Sequence, residues 1–441
     1  MKIIKFYSLI LVLFFLSGNL FAQEDDREVF EYLFDTLTTG SVAPRMIGVE
    51  EMKYIGTQYI SKNDSTLMRY ITAVIQYDID FYADFELVLA DSFYLKTYEI
   101  KELDILGWKR LGAEFIVKLE AEFPGQELRV WWSLIDTGNK QQFAREKIEM
   151  KKSEWRQLGH KISNEIVKTL TGEDGIFLTK IVYVKKNNKN KEIFISDFDG
   201  ANEIQLTNNK SINISPTFAP NGKYIYFTSY MDGDPQLYMV DINSKVSEKI
   251  GSYNGIVAAP SISPDGDKIA CVLSKDGNSE IYLLDLRGKV IKRLTRHRSI
   301  DTSPTWSPDG KEIAFVSDRS GSPQIYIMDS FGLNNRRLTF QGRYNDSPIW
   351  AKNGDRITFV SRTKYGRFDL ASINTDGTDF RVLTMVGMNE NPHFSPDGKH
   401  IIFSSTRLGP KDIFTMDITG RNQRRLTRYG FCSNPIWGPI K

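Results

Sequence analysis

The residues best able to do chemistry in this 441-residue chain are few, and they do not converge on a site. The four histidines, His160, His297, His393 and His400, match no metal-binding spacing, and HExxH does not occur. A lone imidazole needs partners beside it to act, so each reads as a surface or turn residue. Cys271 and Cys432 are the only cysteines, too few for a disulfide framework and too far apart for a zinc knuckle. Neither a G-x-S-x-G nucleophile elbow nor a glycine-rich phosphate loop is present. Asp197-Phe198-Asp199-Gly200 and Asn374-Thr375-Asp376-Gly377 have spacings a calcium ion could use. Asp and Gly are equally the residues of tight turns, and turn chemistry is the favoured reading. No catalytic residue, metal or cofactor is expected, although a cation at the centre of the fold stays open.

The elements that would hold a site are dictated by a repeat. Gly222, Gly266, Gly310, Gly354 and Gly398 recur every 44 residues, each six residues after a proline (Pro216, Pro260, Pro304, Pro348, Pro392). The turns read Ser307-Pro308-Asp309-Gly310 and its relatives, with Lys352-Asn353-Gly354 the degenerate copy. Proline presets one turn dihedral and glycine supplies a positive φ, so each is a reversal between strands. Apolar, β-branched or aromatic runs follow, such as Ile313-Ala314-Phe315-Val316 and Ile325-Tyr326-Ile327, and a last segment ends in Leu-Thr. Four strands in about 44 residues, with no room for a helix, make a blade of a WD40-like β-propeller.

The count closes the ring. Five repeats are complete. Ile181-Val182-Tyr183-Val184, Ile193-Phe194-Ile195 and Ile204-Gln205-Leu206-Thr207 supply three further strands without a proline turn, and Asn434-Pro435-Ile436-Trp437 supplies one more. The expected fold is therefore an N-terminal α/β domain followed by an all-β six-bladed propeller whose sixth blade is composite, its innermost strand coming from the C-terminus. Joining the ends in this way removes two open sheet edges.

Residues 1–22 read as a secretory signal peptide, with Lys2 and Lys5, an apolar run from Phe6 to Leu16, and Ala22 at the cleavage point. The alternative, a membrane anchor, needs roughly 20 apolar residues. Removal leaves 55 basic and 55 acidic residues, a balance that argues against a nucleic-acid partner. Residues 23–172 form the α/β domain and 173–441 the propeller, in a chain expected to be an exported monomer with no membrane span after signal removal. Leu67, Ile71, Val74 and Ile75, and then Leu158, Ile162, Ile166 and Leu170, have helical spacing, with Ser153 as N-cap and Gly172 as stop. Phe115-Ile116-Val117 and Leu128 to Trp132 read as strands.

Strand alternation separates two faces of the disc. The Pro-Asp-Gly turns lie on one, and the loops from Leu-Thr to proline lie on the other, together with the loops between second and third strands. Candidate partner-binding residues on the latter are Ile256, Ala258, Ala259, Arg298, Asp301, Thr302, Tyr344, Asn345, Asp346, Met388, Asn389, Glu390, Tyr429 and Phe431. The same face collects Lys185, Lys186, Lys210, Lys275, Arg296, Arg298, Arg319, Arg343, Lys364, Arg367, Arg407, Lys411 and Arg428, whereas the turn face collects aspartates such as Asp241, Asp285, Asp309 and Asp329.

Several segments resemble, in order, the TolB family. They are Trp132-Ser133-Leu134-Ile135-Asp136-Thr137-Gly138, the helix with Trp155, Gly159-His160 and Leu170-Thr171-Gly172, the strand from Ile181, Ser196-Asp197-Phe198-Asp199-Gly200, and the Pro-x-x-Ser-Pro-Asp-Gly repeats. The resemblance covers about Ile100 to the C-terminus. It implies a periplasmic, non-enzymatic component of the Tol-Pal cell-envelope system. Its propeller would bind a Pal-type peptidoglycan-associated lipoprotein through the loop positions named above, and its N-terminal segment would contact the TolA-like inner-membrane protein, holding outer membrane to wall during division. Gln23 to Gly40 departs from the family's TolA-binding stretch, and its Val29, Phe30, Leu33 and Phe34 are spaced for an amphipathic helix. Two other classes stay open: an exported propeller for another envelope protein or a glycan, and a propeller lactonase or lyase, which needs a ring of acidic or histidine residues.

Overall fold

The 44-residue repeat folds as a four-stranded antiparallel meander, seen first in blade 1 as Asn213–Phe218, Tyr224–Ser229, Gln236–Asp241 and Ser247–Lys249. The structure, a computed structural model, describes residues 43–57, 59–90, 103–363 and 366–440. The expected signal peptide (1–22), the segment 23–40 and Lys364 lie outside them. Arg45–Lys441 make up one compact unit. Blades 2 to 5 begin with Val257–Ile262, Asp301–Trp306, Asn345–Trp350 and Asn389–Phe394. Second and third strands, such as Glu312–Ser317 and Gln324–Asp329, are buried along almost their whole length because neighbouring blades cover both faces. The outermost strands run only two to four residues, which keeps the exposed edges short.

The turns are built as their residue types require. In Ser307-Pro308-Asp309-Gly310 the Ser307 hydroxyl donates to Asp309 (2.7 Å) and accepts from Glu312 N (2.9 Å), while Gly310 takes φ 69°. The Ser307 hydroxyl and the Lys311 N–H hold the Asp309 carboxyl down at about 2. Asp376, one of the possible calcium ligands, instead accepts from Thr378 N (2.9 Å) and Thr378 Oγ1 (2.6 Å), as turn chemistry predicts.

The sixth blade is composite. Cys432–Trp437 pairs antiparallel with Lys180–Asn187, Cys432 opposite Lys185 and Trp437 opposite Ile181, and the sheet continues through Asn190–Asp197 to Ile204–Gln205. Trp437 is buried and its Nε1 donates to Thr179 Oγ1 (2.8 Å).

Ahead of the propeller lie β1 (Arg45–Val49), β2 (Lys53–Tyr54), α1 (Lys62–Phe81), β3 (Phe85–Val88), α2 (Ile105–Arg110), β4 (Phe115–Glu122), β5 (Glu127–Asp136), β6 (Gln142–Lys151) and α3 (Trp155–Thr171). The sheet order is β3-β1-β4-β5-β6, with β2 on β4. Ile71, Val74 and Ile75 of α1 and Leu158, Ile162 and Ile166 of α3 are buried, whereas Leu67 and Leu170 are only half-buried. The two helices meet at Gly159, where a Cβ would stand 2.8 Å from Val74 Cγ1. Gly172 ends α3 at φ 78°, as expected. Ser153 is not the cap: it sits inside a 3-10 turn, Lys152–Glu154, that precedes α3, and Glu154 instead reaches back to Lys151 N (3.1 Å).

The α/β domain and the propeller share one apolar core, joined by Phe81, Phe177, Phe198 and Trp437. Two histidines expected at the surface are buried here. His400 stacks on Phe81 (4.7 Å between centroids) with Nε2 3.1 Å from Phe81 O, and His160 Nδ1 lies 2.8 Å from the fully buried Asp78. Lys399 bridges to Asp84 (2.6 Å) and Glu173 (2.8 Å), and Arg424 to Asp80 (2.8 Å).

Two outcomes follow from the closing strand. Trp437→Ala, which empties a buried site between blade and α/β domain, should cost about 3–5 kcal/mol in urea unfolding, and deleting residues 430–441 should abolish the cooperative transition; truncated protein that melts like the full chain would contradict closure. The second outcome concerns His393, whose Nδ1 lies 3.2 Å from Trp437 N. Burial pushes its imidazole down to about 4, below the ordinary 6.5. The unfolded chain therefore takes up the proton first, so this contribution is intact above about pH 6.5 and lost as pH falls toward 4, by up to ~3 kcal/mol. A His393→Gln variant should flatten the stability profile across that window.

Candidate functional site

The α/β domain rests on the Pro-Asp-Gly side of blades 5 and 6, since Lys399 and Phe198 lie in turns of that side and His400 and Arg424 begin the strands that leave them. The opposite face is built by the beginnings of the six inner strands and the loops leading into them. Each inner strand starts with a residue that is buried: Asn213, Val257, Asp301, Asn345, Asn389 and Cys432.

Behind these positions runs a repeated polar network. In five blades the threonine of Leu-Thr accepts from a third-strand N–H at 2.9 Å: Thr207 from Ile193, Thr295 from Ile281, Thr339 from Ile325, Thr384 from Leu370 and Thr427 from Ile413. The same hydroxyls donate to Glu192, Glu280, Gln324, Asp369 and Asp412. Those acceptors then reach the next blade. Asn213 Nδ2 donates to Glu192 (3.0 Å), Asn345 to Gln324 (2.8 Å) and Asn389 to Asp369 (3.2 Å). Burial pushes the Asp301 carboxyl above the usual range, and Arg319, held 2.9 and 3.0 Å from it, pulls the other way. Three of the residues expected to touch a partner, Asp301, Asn345 and Asn389, are therefore fully buried and hydrogen-bonded within the fold; in this structure they offer a partner no surface.

Two positions further along, the residue before each inner-strand proline adopts a positive φ in all six blades: Ser215, Ala259, Ser303, Ser347, Asn391 and Asn434, between 49° and 52°. None is glycine, so the conformation carries a cost and persists because its surroundings impose it. A register shift marks a bulge at the same place in every inner strand. Ala258, Ala259, Thr302, Asp346 and Glu390 lie in these bulges and are half-buried. Ser303 Oγ donates to Asp346 of the neighbouring blade (3.1 Å), and Lys411 pairs with Glu390.

The residue just before each inner strand is apolar or aromatic in all six blades: Ile212, Ile256, Ile300, Tyr344, Met388 and Phe431. Five of them are 38–56% exposed; Tyr344 is half-buried, its hydroxyl donating to Asp346 (2.7 Å). Their carbonyls are all fixed alike, accepting the N–H of Tyr230, Ser274, Asp318, Arg362, Thr406 and Lys186 at 2.8–3.4 Å. The result is a preorganised apolar ring, extended outward by exposed Phe340, Val386 and Tyr429. Ile256, Tyr344, Met388, Tyr429 and Phe431 were legible as candidates in the sequence, whereas Ile212 and Ile300 were not singled out, although the same repeat position marks them.

Charge surrounds the ring unevenly. Arg319, Lys411, Lys185 and Lys275 are committed to Asp301, Glu390, Glu203 and Asp276. Lys185 also sits over the Tyr429 ring at 4.0 Å. Exposed Lys210, Arg296, Arg298, Arg343 and Arg428 have no acidic group within 4.0 Å among the described residues, and form a basic collar. This collar is smaller than the full set of basic residues the sequence places on this face. Apolar centre and charged rim are the composition of a protein-docking surface. The thiols give no reactive centre: both cysteines are buried, and burial raises Cys271 and pushes Cys432 up to about 11. No helix among the described residues is long and apolar enough to cross a membrane.

Fold and face together define a six-bladed propeller with an α/β domain docked on one side and a ring of exposed apolar side chains on the other. A model of the TolB beta propeller domain matches residues 167–441. The chain belongs to the TolB β-propeller family. Tol-Pal system protein TolB of Geobacter sulfurreducens is 37% identical over 228 residues, 51% of this chain and 50% of the relative. That of Rickettsia akari is 32% identical over 234 residues, 51% of each. The chain thus spans about half the length of the curated relatives it matches. The crystal structure of TolB from Acinetobacter baumannii superposes with a TM-score of 0.79 at 28% identity, covering 91% of this chain and 98% of that one.

The division between buried network and exposed ring can be separated by substitution. Asn345→Ala should lower unfolding stability by about 1–3 kcal/mol, because it leaves buried partners unsatisfied, whereas Ile300→Ser should change it by less than about 0.5 kcal/mol. Urea titration of the two variants measures the difference, and equal losses would mean that the ring residue is structural.

Proposed function

We propose that this chain is an exported, periplasmic and non-enzymatic protein of the Tol-Pal system that docks a Pal-type peptidoglycan-associated lipoprotein on the apolar ring. Outer membrane and cell wall are linked through that contact, in support of envelope integrity and division. The observation that carries this reading is the ring of Ile212, Ile256, Ile300, Tyr344, Met388 and Phe431 inside its basic collar, on the face that the α/β domain leaves uncovered. Relatives bearing the Tol-Pal name supply the partner class. In this reading residues 1–22 are removed at Ala22, residues 23–172 are the α/β domain, residues 173–441 are the propeller, and the segment beginning at Gln23 meets a TolA-like inner-membrane protein. The working unit is a monomer without a membrane span.

An apolar ring whose backbone is already fixed spends little ordering energy on docking, so affinity should concentrate in a few side chains. Phe431→Ala is expected to weaken lipoprotein binding by at least about thirtyfold, roughly 2 kcal/mol, mainly through dissociation. Arg296→Glu combined with Arg298→Glu should instead slow association, and the defect should shrink as salt shortens the Debye length toward ~8 Å and below. Surface-binding kinetics across a salt series distinguish the two. An unchanged on-rate at low salt would remove the collar from the mechanism, and an unchanged affinity for Phe431→Ala would remove the ring.

A further inference from the structure

A ring of six blades has six seams, and they are closed by different devices. Four are closed turn on turn: Gly266 packs against Pro220, Gly310 against Pro264, Gly354 against Pro308 and Gly398 against Lys352. At the fifth, between blades 5 and 6, Phe81 of the α/β domain wedges between His400 (4.7 Å) and Trp437 (6.4 Å). At the sixth, between the composite blade and blade 1, Gly438 lies against the Phe218 ring, where a Cβ would stand 2.8 Å from it, above a shared apolar cluster that includes Ile195, Ile436 and Ile225. The composite blade enters and leaves as two separate chain segments, at Leu178-Thr179 and Gly438-Pro439, where every other blade has a Pro-Asp-Gly type of turn.

A cavity of about 340 Å³ occupies this seam, lined by Leu178, Ile204, Phe218, Ile242, Lys245 and Pro439 among others. Its volume falls within the range of ligand sites, about 300–1,000 Å³; hollows of about 220 and 820 Å³ lie at the seams of blades 1 and 2 and of blades 2 and 3. Leu178 and Ile204 stay 39% and 47% exposed, so the wall offers apolar surface that the fold itself does not cover. The polar lining is cationic and amide in character. Lys180 is committed to Asp197, whereas Lys245 has no acidic group within 4.0 Å among the described residues. Asn243 lies beside it in the lining.

We infer that this cavity is a binding pocket for an aliphatic carboxylate, whose chain lies against Leu178, Ile204 and Phe218 and whose anionic end meets Lys245. The same chemistry is offered by a free fatty acid and by the C-terminus of a peptide ending in an aliphatic residue. Calorimetric titration with sodium octanoate below its aggregation limit tests the site on the full mature chain. One saturable site is expected. Lys245→Glu and Ile204→Glu, both at exposed positions, should each weaken uptake at least tenfold with the melting temperature unchanged, and octanol should bind at least tenfold more weakly than octanoate. Competition by a tripeptide ending in leucine, lost on amidation, would assign the site to protein C-termini; octanoate binding without such competition would assign it to free fatty acids. Absence of a saturable site, or uptake that both substitutions leave within twofold, would overturn the inference.

Discussion

Everything in this molecule hangs on one pairing, that of Cys432–Trp437 with Lys180–Asn187. A propeller is a sheet stack bent into a circle, and a circle left open exposes two blade faces whose second and third strands are apolar almost throughout. Closing it with a strand from the far end of the chain converts the sixth blade into a clasp. The clasp also helps fix where the α/β domain can sit, because Trp437 and Phe198, both of the composite blade, are among the propeller residues that join the shared core. One face is thereby covered, and the other is left to present loops.

What those loops present is determined a layer below the surface. The threonine networks brace the third strand in five blades and in three of them reach the next blade's inner strand, and the left-handed residues before the prolines bend the strand ends at a constant place. Polar groups buried in this way are costly unless satisfied, and satisfied they specify a single arrangement. The six apolar side chains ahead of them therefore form a ring of one geometry instead of six independent loops. Exposed apolar side chains on a surface are otherwise a liability, and the arginines around them, with no acidic group within 4.0 Å among the described residues, keep that face solvated.

Much of this could be read from the chain, and the reasons it could are the reasons the rest could not. The interval from Gly222 to Gly398 is a local signal repeated five times, so strand order, blade number and the composite closure all follow from counting. Turn chemistry at Asp309 and Asp376 is equally local. His160 and His400 gave no such signal, because their burial depends on Asp78 and Phe81, far away in sequence and brought there by domain packing. Asp301, Asn345 and Asn389 begin the inner strands that follow the loops read as candidates, but face inward, a distinction that depends on the bulge one or two residues later. Ile212 and Ile300 were visible in principle: the repeat position that marks Phe431 and Met388 marks them too.

The clasp also imposes an order of events on a chain made from its N-terminus. Blades 1 to 5 are each contiguous in sequence and can form their hairpins as they emerge, but the sixth can hold only three strands until Cys432–Trp437 arrives. Until that moment the inner edge of Lys180–Asn187 and the flank of blade 5 are open together, and unpaired strand edges beside apolar surface are what aggregation feeds on. Such distant pairing is intrinsically slow, since the loop must close before any of its contacts count. The nearly finished chain is thus its own most vulnerable state, and the compartment in which it matures must tolerate an open ring.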